Sequence, residues 1–181
     1  MERREFICTG IAAMAVVMAA KKAGAETHWS MTIYKDPNCG CCNLWAKAME
    51  NAGFTVERVD TDDLPGVKKR FGVPAAVEGC HTAVVGGYFL DGHVPLEAVA
   101  KLLYERPNIA GLAVPGMPAG SLGMGSDPSA SYDVYAVAKG PEQKTSVYYE
   151  VRSKTELAAA VTATPAGLRT DSHSMSPARE S

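Results

Sequence analysis

The chain has 181 residues with 18 Lys+Arg against 20 Asp+Glu, a formal charge of −2, and 46% apolar residues. That length suits one compact domain, and the apolar content is ordinary for a protein that buries a core. The near-neutral charge excludes the basic surface that nucleic-acid binding requires, and no basic amphipathic stretch points to a membrane surface.

The first 25 residues stand apart. A basic head is followed by an apolar run, Phe6–Ala20, and by the small-residue pattern Ala23-Gly24-Ala25. This reads as a cleavable export signal cut after Ala25. The run of 15 residues is shorter than the roughly 20 that span a bilayer as a helix, which disfavours a retained anchor. Arg3-Arg4-Glu5-Phe6-Ile7 resembles a twin-arginine signal, with the general secretory route as the alternative. Cleavage leaves 14 Lys+Arg against 18 Asp+Glu, a charge of −4, and removes Cys8.

Next, Met31–Lys35 is a short β-prone run, and Asp36-Pro37-Asn38 marks a turn. Cys39-Gly40-Cys41-Cys42 follows directly. Asn43–Ala52 is predicted as a helix, with Leu44, Trp45, Ala48 and Met49 at helical spacing and Gly53 as its stop. Phe54–Val59 alternates as a strand. Asp60–Asp63 caps a short helix over Leu64–Phe71, closed by Gly72. His81–Val85 and Tyr88–Leu90 form a hairpin about Gly86-Gly87, and a helix covers Leu96–Tyr104. The order β-α-β-α-β-β-α is that of a thioredoxin-like α/β core, with the cysteines where such folds keep Cys-x-x-Cys. Pro74 is either the site-facing proline of that fold, usually cis, or an ordinary trans turn.

Composition shifts after Pro107. Asn108–Ser131 is rich in Gly, Pro, Ala and Ser and reads as a loop; Tyr132–Lys139 and Thr145–Arg152 alternate as a hairpin about Gly140-Pro141. The expected organisation is therefore a signal over 1–25, a core over 26–107, a loop and β-hairpin extension over 108–152, and a flexible tail over 153–181. Residues Lys154–Val161 have the makings of a helical turn.

Four cysteines remain after the signal: Cys39, Cys41, Cys42 and Cys80. An even count in an exported chain suggests structural disulfides, but the crowding of three sulfurs argues against that. The 156 residues after Ala25 bury a core without staples. At a helix N-terminus the backbone N–H groups favour thiolates, which attack disulfides and bind soft metals such as Cu(I) and Zn(II). Cys39 and Cys42 share a helix face, whereas Cys41 is rotated about 100° from Cys42. One ion held by all three would demand an unwound loop. Several Cu(I) ions bridged by shared thiolates fit sulfurs fanned over a small arc, with Cys80 as the fourth, unless Cys80 is a buried apolar residue.

Other donors are weighed against bland roles. His81 opens a strand and, in register, points away from Cys80. His93 is either a site neighbour or a solvated turn residue. Met117 and Met124 offer thioethers to Cu(I), or fill gaps beneath a loop. His28, and His173 with Met175 in the tail, are weak recruiters or solvated chain.

Taken together, Cys39-Gly-Cys-Cys42 with Trp45, Gly79-Cys80-His81-Thr82-Ala83, Gly92-His93-Val94-Pro95 and Val114-Pro-Gly-Met117-Pro resemble the exported bacterial CopG-type copper-resistance family, formerly of unknown function. The likeness covers about residues 31–125. It implies a thioredoxin-like fold and a cysteine-rich copper site in the periplasm. Carried over by position, the ligands are Cys39, Cys41, Cys42 and Cys80, with His93 and Met117 as neighbours. It implies copper ions and other periplasmic copper-handling proteins as partners, and a role in holding or passing on Cu(I). A thiol–disulfide oxidoreductase using Cys39 and Cys42 is the alternative from another class; a zinc or iron–sulfur site is a third.

Overall fold

The computed structural model describes residues 28–157. The segment read as an export signal, with Cys8, and the tail residues His173 and Met175 lie outside the described residues. The elements in chain order are β1 (Ser30–Lys35), α1 (Gly40–Asn51), β2 (Thr55–Asp60), α2 (Leu64–Phe71), a 3-10 turn (Ala75–Val77), β3 (His81–Val85), β4 (Tyr88–Asp91), α3 (Leu96–Glu105), β5 (Ile109–Ala113), β6 (Tyr132–Ala138) and β7 (Thr145–Val151). All seven strands join in one sheet of order β2-β1-β3-β4-β5-β6-β7. β1 runs parallel to β2, and β4 to β5; the other neighbours are antiparallel.

Strand side chains alternate between faces, and this sorts the core into two layers. Met31, Ile33, Ala83, Val85, Leu90 and Leu112 pack with Trp45, Met49, Val99 and Leu102 of α1 and α3. Phe89, Ala113 and Val137, one residue out of step, pack with Val73, Val77 and Phe71 on the other face. Helix α1 buries Cys42, Trp45, Ala46 and Met49, the i, i+3, i+4, i+7 stripe of an amphipathic helix. Helix α2 is bounded as its sequence implies: Asp63 Oδ1 accepts from Gly66 N at 2.9 Å, and Gly72 ends it in the left-handed region at φ 71°.

Two expectations change. Residues 109–113, read as loop, are strand β5, which bonds the C-terminal hairpin to the same sheet. The sequence Ile-Ala-Gly-Leu-Ala carries a weak β signal because small residues dominate it. Its Gly111 lies against the backbone and ring of Phe89, where a Cβ would collide, so close packing selects the small residue that hides the strand. Helix α1 also begins three residues earlier than its apolar pattern suggests, so Cys41 and Cys42 belong to its first turn. No peptide bond among the described residues is cis, so Pro74 takes the trans alternative. After β7, residues 154–157 are helical. Ser153 and Glu156 cap that turn reciprocally: Ser153 N donates to Glu156 Oε2 at 2.9 Å and Glu156 N to Ser153 Oγ at 3.1 Å.

Candidate metal centre

Three turns at one end of the sheet converge on the start of α1. Cys39 is its N-cap, and Cys42 N donates to Cys39 Sγ at 3.3 Å. A sulfur there meets unpaired N–H groups and the positive end of the helix dipole. Cys39 and Cys42, expected on one helix face and as the pair of the oxidoreductase alternative, are joined as a disulfide with Cα atoms 5.4 Å apart, although the crowding of sulfurs argues against a structural disulfide framework. Position explains it: N-cap and third helical residue face each other across one turn. Cys41 Sγ is 3.6 Å from Cys39 Sγ, and Cys80 Sγ is 3.5 Å from Cys42 Sγ. The four sulfurs lie within 4.8 Å of one another.

Cys80 is the link to a second group. Its Sγ is 3.0 Å from His93 Nε2 and 3.4 Å from His81 Nδ1, and these three also lie within 4.8 Å. His93 Nδ1 is 2.6 Å from the Leu122 carbonyl. That oxygen can only accept, so Nδ1 carries the proton and Nε2 turns a lone pair toward Cys80. This is how metal-binding imidazoles are commonly oriented. His81 was expected to point away from Cys80. It does not, because Cys80 lies before the strand rather than in it, so strand alternation does not govern the pair. His81 shares the face of Ala83 and Val85, packs its ring 4.5 Å from that of Trp45, and leaves Nε2 buried without a hydrogen-bond partner among the described residues.

Burial sets the protonation states. It pushes the Cys80 thiol up to about 12, with the neighbouring Cys41 adding to the rise. Cys80 is therefore a thiol at neutral pH. Burial pulls His81 down to about 3, helped by His93 and Lys68, and also lowers His93 against the opposing Leu122 hydrogen bond. Both rings are neutral, as ligands must be.

The convergence depends on glycines and one indole. A Cβ on Gly79 would strike the backbone of Gly92 and the Val114 carbonyl, so the turns bearing Cys80 and His93 meet only without side chains. Gly123, at φ 89°, lets the loop carrying Leu122 pack on the first turn of α1: a Cβ there would come within 2.9 Å of Cys41 O and Trp45 N. Trp45 Nε1 donates to Val94 O at 2.9 Å, binding α1 to the His93 turn.

The remaining sequence candidates divide. Gly116 bridges Gly79 in parallel register, so Met117 follows the bridge on one side as Cys80 does on the other, yet Met117 is 55% exposed. Met124 is half-buried, and His28 belongs to neither ligand group. His81 joins the second group, and the one signal for it in the sequence is adjacency to Cys80; Asp91 and Lys68, behind the same turn, carry no sequence signal.

Together these features define a mixed α/β protein whose sheet end gathers four sulfurs and two neutral imidazoles able to hold metal. A family profile described as "Protein of unknown function, DUF411" matches residues 77–124, the span holding Cys80, His81, His93 and the loop carrying Leu122. Two solved structures, both titled copper resistance protein CopG (Form 2 and Form 1), are 39% identical to this chain. They cover 68% of it and are covered over 98% of their own length, with TM-scores of 0.64 and 0.63. No curated protein matches. The chain belongs to the CopG-type copper-resistance family.

Proposed function

We propose that this protein binds Cu(I) as cargo in the bacterial periplasm, sequestering it or passing it to other copper-handling proteins. The observation that carries the reading is the approach of Cys80 to the trio: 3.5 Å from Cys42 Sγ and 3.0 Å from His93 Nε2. Thiolate and imidazole are the donors that soft Cu(I) prefers. For a metal–thiolate bond of about 2.3 Å, two sulfurs sharing one ion stand at most about 4.6 Å apart, a limit the pairs at 3.5 and 3.6 Å meet. Shared thiolates then favour a multi-copper cluster, with Cys39, Cys41, Cys42 and Cys80 as the sulfur set and His93 and Met117 as further ligands.

Full use of the site requires the Cys39–Cys42 bond to be reduced, which consumes two electrons and two protons from an external thiol pair. Cys80 releases its proton on binding. The β-α-β-α-β-β-α order of the strands and α-helices from β1 to α3 supports a thioredoxin-like core, and the basic-apolar leader supports export by the twin-arginine route. Anaerobic Cu(I) titration of the reduced protein against a competing chelator tests the reading. Cys80→Ser should weaken binding far more than tenfold, a factor worth about 1.4 kcal/mol. A stoichiometry at or below one copper per chain would remove the cluster, and unchanged affinity in Cys80→Ser would remove the site.

A second reading has one observation behind it. The Cys39–Cys42 disulfide is flanked at 3.6 and 3.5 Å by Cys41 and Cys80, an arrangement suited to thiol–disulfide exchange. Insulin reduction with turnover comparable to that of a thioredoxin would favour an oxidoreductase.

A further inference from the structure

Beneath the metal centre, on the other face of the sheet, lies a buried carboxylate that cannot touch a metal there. Asp91 ends β4 and is fully buried. It stands one residue from Leu90, which faces α1, and so occupies the layer of Phe89 and α2. Its Oδ1 accepts from Lys68 Nζ at 2.8 Å and Gly79 N at 2.5 Å; its Oδ2 accepts from Lys68 Nζ at 2.6 Å and Thr82 Oγ1 at 2.6 Å. The donors at 79 and 82 bracket Cys80 and His81.

The main chain of the same segment completes the fastening. Val114 N donates to Asp91 O at 2.9 Å, and Gly92 N donates to His81 O at 2.9 Å, one residue before His93. One carboxylate therefore joins the turn carrying Cys80 and His81 to the strand end carrying His93. We propose that Asp91 is a positioning residue that fixes Cys80 against Cys42 before any metal arrives. Lys68 neutralises its charge, since an unpaired buried carboxylate is costly. A ligand held in place beforehand spares the ordering cost that binding would otherwise bear. The consequence for copper rests on the function proposed above; the positioning itself does not.

The test is therefore metal-free. In the full chain carrying Cys8→Ser, Cys39→Ser and Cys41→Ser, the remaining thiols are Cys42 and Cys80. Oxidised glutathione converts them to one disulfide and two reduced glutathiones. The equilibrium constant is the effective molarity of one thiol at the other, read at fixed pH. Asp91→Asn should lower it tenfold or more while the protein still melts cooperatively. Thr82→Val, which removes one hook and keeps the ion pair, should lower it about threefold. Val134→Ala, in the core at β6, supplies general destabilisation and should change it less than twofold.

A folded Asp91→Asn within twofold of its parent would overturn the proposal, as would a loss in Val134→Ala equal to that in Asp91→Asn. If Asp91→Asn does not fold, Thr82→Val decides, and an unchanged value there overturns it. Cu(I) titration of the unsubstituted and Asp91→Asn chains separates the two claims. Absence of Cu(I) binding by the former, with the effective molarity still reduced in the variant background, ends the function and leaves the positioning. Normal copper binding by both, with unchanged effective molarity, ends the positioning alone.

Discussion

Gly79→Ala and Gly40→Ala add the same methyl to two ends of the site and should have opposite effects. At Gly40 a Cβ meets nothing within 4 Å. The change replaces a helical glycine and should stabilise the protein by up to about 1 kcal/mol. At Gly79 the new Cβ would lie inside contact distance of Gly92 Cα, and within 3 Å of Gly92 N and Val114 O. All are backbone atoms, so no side chain can turn aside. Reaching the ~3.5–4.0 Å of an ordinary carbon contact requires the two turns to part by more than about 1 Å. Overpacking of this kind costs about 1–3 kcal/mol. The same movement stretches the 3.0 Å contact between Cys80 and His93 past hydrogen-bond range, adding about 0.5–1.5 kcal/mol. The expected total is about 1.5–4.5 kcal/mol, read by urea unfolding of the metal-free protein, with a loss of Cu(I) affinity in parallel. A Gly79→Ala protein within about 0.5 kcal/mol of its parent would refute the claim that backbone approach assembles the site.

Stability of the metal-free protein should also fall in mild acid. His81 is neutral in the fold with its pKa pulled down to about 3, whereas the unfolded chain protonates it near 6.5. Between those values the unfolded state binds the extra proton, so stability drops as pH falls, by about 1.4 kcal/mol per pH unit from this residue alone. His81→Gln should flatten the decline between pH 6.5 and 5; an unchanged slope would contradict the assignment. Cys80, pushed up to about 12, should alkylate slowly in the oxidised protein carrying Cys8→Ser and Cys41→Ser. Its rate should still climb about tenfold per pH unit through pH 10, and a plateau near pH 9 would count against its burial as a thiol.

Much of the core was readable from local pattern. The limits of α2 follow from Asp63 and Gly72, whose capping chemistry is local, and the Gly86-Gly87 hairpin needs only a two-residue turn between alternating runs. Strand β5 was not readable, because its small residues are chosen by the closeness of Phe89 rather than by β propensity. The candidate donors Cys39, Cys41 and Cys42 are marked by their spacing and by their place before a helix.

What only the tertiary structure decided is which distant groups those sulfurs meet. Cys80 and His93 arrive through two turns touching at Gly79 and Gly92, and His93 is oriented by a carbonyl from Leu122, 29 residues along the chain. Asp91 and Lys68, 23 residues apart, carry no motif that marks them as a pair. Composition and periodicity report on neighbours within a turn or a strand. Encounters across a sheet depend on register and burial, which exist only once the chain has folded.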